Sequence, residues 1–226
     1  MGMEKDGKRI PVMTYRKPNV GDVYPIENPA ETDEFNSPEL GLQWQWLANP
    51  KNRWAMTTNI GFLRLYASPF PEDYANFWDV PNLLLQKFPA EEFSATTKLT
   101  FSAIGNNEKA GLIVMGRDYS YISIIKTDEN YRIMQVVCKD AERKTAEEIV
   151  AEVPVNVNVV YLRVSVEKQA VCKFSYSVDG ENFVPFGENF SARAGRWIGA
   201  KVGLFAVNPN ERGNLGYADF DWFRIW

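Results

Sequence analysis

The chain contains no histidine. That absence removes Ser-His-Asp and Cys-His catalysis, His-ligated zinc and haem, and imidazole acid–base chemistry. Cysteine is scarce: Cys138 and Cys172 stand alone. Both lie in strand-like segments and read as buried thiols. A single disulfide is the alternative, but two cysteines make no framework. No run of 18 apolar residues occurs, so no transmembrane helix is encoded and no membrane partner is expected. There is also no basic stripe. With 25 Lys and Arg against 29 Asp and Glu, the net charge is −4, which argues against a nucleic-acid partner. The opening residues, MGMEKDGKRIPVMTYRKPNVG, lack the apolar core of a secretory signal.

What the chain does have is aromatics and short alternating segments. It carries 14 Phe, 10 Tyr and 7 Trp, most of which core packing in strands accounts for. After residue 32, about a dozen or more strand-like runs follow one another between turn residues. KAGLIVMG, YSYISIIKT, VVYLRVSVE, KVGLFAV and YADFDWFRI are the clearest. FSYSVDGENFVPFG reads as a hairpin around Asp179-Gly180, because such turns need positive φ. This spacing predicts an all-β, two-sheet antiparallel jelly-roll sandwich, which at 226 residues buries roughly 70% of its unfolded surface without metal or disulfide. Residues 1–30, with Pro11, Pro18, Pro25 and Pro29, read as an extended, irregular linker, and 31–226 as the sandwich. Residues 140–154 suit a helix by composition, yet their β surroundings favour a strand. The 68–82 segment, SPFPEDYANFWDVPN, reads as a long aromatic loop with three prolines, a place where function often resides.

The residues offer few catalytic prospects. Glycoside hydrolysis needs two carboxylates held roughly 5–10 Å apart across the bond. Asp219 and Asp221 share a strand face by alternation but read as a solvated or cation-holding pair. A sugar platform is a separate possibility. Trp44, Trp46, Trp54, Trp78, Tyr119 and Tyr121, with Arg117 and Gln86, would supply stacking rings and planar polar groups on a sheet face, and plant hemicellulose oligosaccharides are the ligands expected there. Core packing is the competing explanation for the same residues.

Four segments carry a resemblance: DEFNSPELGLQWQW (33–46), AGLIVMGRDYSYISI (110–124), YSVDGENFVPFG (176–187) and GAKVGLFAV with ADFDWFRI (199–225). In their order and spacing they resemble the C-terminal concanavalin A-like β-sandwich of β-xylosidases and α-arabinofuranosidases in glycoside hydrolase family 43. The resemblance spans about residues 30–226, and the first twenty residues resemble the end of that family's catalytic five-bladed propeller and its linker.

The resemblance implies a glycosidase as the parent protein, with the propeller as partner and its three catalytic carboxylates outside this chain. It implies a structural calcium between the segments DEFN and ADFD, which here means Asp33 and Asp219. It also implies that the aromatic before the GxxVGL strand closes one side of the propeller's sugar pocket. That residue is Trp197 here, where Phe is usual. The expected function is a non-catalytic accessory domain, with an independent carbohydrate-binding module for xylan or arabinoxylan as the alternative and a stand-alone enzyme a distant third.

Overall fold

The computed structural model describes residues 2–5, 8–11, 16, 18–21, 25, 30–58, 60–210 and 215–226. Strands β1 (Gly2–Lys5) and β2 (Lys8–Pro11) pair antiparallel, with Lys5 opposite Lys8. The first thirty residues are thus not irregular throughout, as their prolines suggest. In sequence the two strands are separated by Asp6-Gly7, the dipeptide that two-residue hairpin loops favour.

The remaining strands are β3 (Gln45–Trp46), β4 (Ala55–Thr57), β5 (Leu63–Tyr66), β6 (Ser68–Pro69), β7 (Leu84–Lys87), β8 (Phe93–Ser102), β9 (Lys109–Met115), β10 (Tyr119–Lys126), β11 (Tyr131–Cys138), β12 (Glu148–Val155), β13 (Val159–Glu167), β14 (Val171–Ser177), β15 (Val184–Pro185), β16 (Phe190–Ser191), β17 (Lys201–Asn208) and β18 (Tyr217–Ile225). They form two sheets. The first runs β12-β11-β10-β9-β17-β7-β3, with β6 parallel to β17. The second runs β15-β14-β13-β8-β18-β5-β4, with β16 on β14. The last strands therefore insert beside β8 and β9, tying the end of the chain to its middle. Glu148–Val155 is an edge strand, as its β context predicts.

Alternation sends one side of each strand between the sheets. Leu112 and Val114 of β9, Ile122 and Ile124 of β10, Leu99 and Phe101 of β8, and Phe220 and Phe223 of β18 meet there without solvent exposure. Cys172 belongs to this core and Cys138 to a second cluster, so both are free buried thiols. Burial pushes the Cys172 thiol up to about 12. The Asp179-Gly180 hairpin forms, with β15 returning on β14. Gly180 sits at φ +83°, and a Cβ there would lie 2.8 Å from the Tyr161 ring, so both conformation and space require glycine.

The other side of the first sheet is buried as well. Ile113, Met115, Tyr119, Tyr121, Val136 and Phe205 form the second apolar cluster. Its cover is the 68–82 segment. A short turn, Phe77–Asp79, drives Phe77 into the cluster. There Phe77 stacks on Tyr121 at 4.8 Å and meets Phe205 edge-on at 5.0 Å. Asn76 fixes the turn from below: its Nδ2 donates to the carbonyls of Ala141 (3.0 Å) and Thr145 (2.9 Å), and its Oδ1 accepts from the Trp78 N–H at 2.9 Å. The long loop is a packed plug.

Candidate functional site

The loop that carries Trp197 leaves the core after β16 and re-enters it at β17. It is clamped at its base. The Arg193 guanidinium donates to both oxygens of Asp118 at 2.6 Å and to Asp140 at 2.6 Å. Asp118 also accepts from the Asp140 N–H at 2.6 Å, so one carboxylate joins three elements. The Arg193 guanidinium beside Asp140 holds that carboxyl below its ordinary range. Gly116 lets the β9–β10 turn press against the loop, since a Cβ there would fall 1.7 Å from the Arg193 carbonyl oxygen. Further along, Arg196 pairs with Glu142 at 2.9 Å. Bidentate Arg–carboxylate pairs fix orientation as well as contact.

On this clamped loop Trp197 is 95% exposed. An exposed indole on an anchored backbone is unusual for a residue with no task, because tryptophan gains most from burial. Trp197 itself helps to line a recess of about 280 Å³ together with Leu47, Trp78, Leu85, Met115, Ile198 and Lys201. Arg196 lies over the Trp78 ring at 5.9 Å. Of the rings expected to form a sugar platform, the structure thus brings Trp78 alone to the Trp197 loop.

Most of the rest of that platform is buried. Tyr119 and Tyr121 are fully buried beneath Phe77. Their phenols donate to Glu147 at 2.7 and 3.4 Å, and Lys109 donates to Tyr121 at 2.8 Å. Burial, then Glu147, push both phenols far above their ordinary range, so they stay neutral donors. Burial pulls the Lys109 ammonium down, offset by Glu147. Trp44 is buried between Phe35 (6.0 Å) and Phe223 (5.0 Å). Trp46 packs against buried Trp54 at 5.5 Å. Gln86 is buried and donates to the Glu31 carbonyl at 3.0 Å. Arg117 is exposed, and its backbone carbonyl accepts from the Ala141 N–H at 3.0 Å. These residues build and cap the sandwich and present no shared stacking surface.

The calcium pair does not assemble either. Asp33 bridges to Phe223, and its carboxylate accepts from the Phe35 N–H (2.8 Å) and the Trp44 indole (2.9 Å) on the core side. Asp219 lies between core residues Ala218 and Phe220 and points to the outer face, where Arg64 grips both its oxygens at 2.7 Å. Along β18 the two positions are roughly 10–13 Å apart, whereas calcium ligands sit at about 2.3–2.6 Å from one ion. A bulge between Phe220 and Trp222 adds to the separation of faces. Asp33 and Asp219 do not fit a shared calcium. Excess chelator should leave the melting temperature unchanged. A fall of several degrees, with metal found by elemental analysis, would restore calcium to the account.

Residues 32–225 match the family described as the beta xylosidase C-terminal concanavalin A-like domain. A β-xylosidase of Formosa agariphila is 32% identical over 97% of this chain and 38% of its own length. A non-reducing end α-L-arabinofuranosidase of Bacteroides ovatus is 27% identical over 98% of this chain and 42% of its own. Among solved structures, the GH43 BlXynB protein from Bacillus licheniformis superposes with a TM-score of 0.72 at 26% identity, covering 93% of this chain and 41% of that one. The chain therefore spans about two fifths of the length of these relatives. With two antiparallel sheets in the expected arrangement and the family match running from the Asp33 segment to the last strand, this chain belongs to the concanavalin A-like C-terminal domains of family 43 β-xylosidases.

Proposed function

We propose that this chain is the non-catalytic accessory β-sandwich of a family 43 hemicellulose-degrading glycosidase. It supports an upstream catalytic propeller and lends Trp197 to the rim of the propeller's sugar site. The observation that carries this reading is the pairing of near-complete exposure of Trp197 with a loop fixed by Arg193, Arg196 and Gly116. A ring held in place before it is needed costs little ordering on contact. The relatives named above are a β-xylosidase and an α-arabinofuranosidase more than twice this chain's length, which supports a catalytic portion beyond it.

On its own the chain should neither hydrolyse nor hold hemicellulose. Asp219 and Asp221, the acids that share a strand face in sequence, are paired with Arg64 and Lys98 instead of facing each other as acid and nucleophile, and the sheet-face rings of Tyr119 and Tyr121 are covered. Incubation with nitrophenyl xyloside and arabinofuranoside should release no sugar, and affinity electrophoresis in xylan and arabinan should show unretarded migration. Retardation would favour an independent binding module instead. Turnover that survives repurification would make the chain an enzyme.

A further inference from the structure

A short turn, Ala141–Arg143, lies between β11 and β12, and the backbone on either side of it is strained. Asp140 before it has φ +52° and Lys144 after it φ +60°, both left-handed. Neither is glycine, and a residue with a Cβ enters that region at an energetic cost. Such conformations persist where the surroundings over-determine them, and they gather at sites with a task. Here the surroundings are explicit. The Asp140 N–H donates to Asp118 at 2.6 Å and the Ala141 N–H to the Arg117 carbonyl at 3.0 Å. From the other side Asn76 holds the Ala141 and Thr145 carbonyls, and Ala141 itself is fully buried. The turn is therefore anchored both to the β9–β10 connection and to the 68–82 plug.

What the anchored turn presents is two carboxylates. Asp140 grips Arg193 at 2.6 Å, and Glu142 grips Arg196 at 2.9 Å. Both arginines lie just upstream of Trp197, and Arg196 adjoins it. The Gly195 N–H donates to the Gly199 carbonyl at 3.4 Å, which closes the 195–199 loop with Trp197 at its middle. Among the described residues Arg196 has no other carboxylate partner. Glu142 is the fixed end of that pair: its side chain is 18% exposed, against 60% for Arg196. Arg196 beside it holds the Glu142 carboxyl below its ordinary range, so it stays charged. We infer that the 140–144 turn positions Trp197: Asp140 fixes the base of its loop through Arg193, and Glu142 aims the indole through Arg196. Glu142 is thus a positioning residue, acting on the ring through the backbone it holds. The inference rests on the rim role of Trp197 and adds the residues that direct it.

The test is a double-substitution cycle in the full-length enzyme, read as kcat/KM on an aryl glycoside that it cleaves. Glu142→Ala should lower kcat/KM by about three- to tenfold, since a displaced positioning group forfeits orientation. In the Trp197→Ala background the same change should add nothing beyond about twofold. Glu142→Gln should recover most of the loss, because its amide oxygen still accepts from Arg196. In the isolated chain Glu142→Ala should shift the melting temperature by no more than about 2 °C. Full additivity of the two substitutions overturns the inference, because Glu142 then acts on something other than Trp197. A melting loss as large as that expected for Phe77→Ala also overturns it, because Glu142 then serves the fold. If Trp197→Ala lowers kcat/KM while Glu142→Ala is silent, the rim role stands and the positioning role falls. If Trp197→Ala is itself silent, the rim role falls and takes this inference with it.

Discussion

Phe77→Ala should destabilise the isolated domain by about 3–5 kcal/mol, the range for removing a buried phenylalanine. At roughly 2–4 °C per kcal/mol for a chain of this size, the melting temperature should drop by about 6–20 °C. The ring is fully buried and meets four aromatic neighbours, Tyr121 at 4.8 Å, Phe205 at 5.0 Å, Tyr119 at 5.7 Å and Phe70 at 6.2 Å. Little can collapse into the space, because the cluster below belongs to a hydrogen-bonded sheet and the turn above is fixed by Asn76. Tyr119 adds to the cost: its hydroxyl accepts from the Phe77 N–H at 2.9 Å while donating to Glu147. A shifted turn leaves that buried group short of a partner. Chemical denaturation of the variant measures the loss. A change below about 1 kcal/mol would mean that the 68–82 segment merely lies on the sheet, and the face beneath it would again be a candidate sugar surface.

Much of the fold is legible in the sequence because its signal is local. Alternation in VVYLRVSVE and the turn chemistry at Asp179-Gly180 give β13 and the β14–β15 hairpin directly. The same turn signal at Asp6-Gly7 goes unread against the prolines around it, and there β1 and β2 pair. The sugar platform fails on a signal that is also local. KAGLIVM and YSYISIIK are nearly unbroken apolar runs, and a strand of that kind is covered on both faces. Tyr119 and Tyr121 therefore had to face a second layer, which Phe77 supplies. The calcium pair fails for a different reason. The bulge at Phe220–Trp222 and the bridge of Asp33 to Phe223 put the two acids at different depths and on different faces, and pairing geometry of that kind is not written in residue spacing. The clamp on the Trp197 loop is likewise invisible in one dimension, since Arg193 meets partners at Asp118 and Asp140.

Trp197→Ala in the full-length enzyme tests the central claim most directly. An aromatic wall in a sugar pocket excludes water and packs on the apolar face of the ring, which positions the substrate. Its loss should lower kcat/KM by about tenfold or more, equivalent to about 1.4 kcal/mol of transition-state stabilisation. The same substitution in the isolated chain should change stability by no more than about 0.5 kcal/mol, because the side chain is 95% exposed. Unchanged kcat/KM would contradict the account, as would a loss of about 3 kcal/mol in the isolated chain, the signature of a core residue.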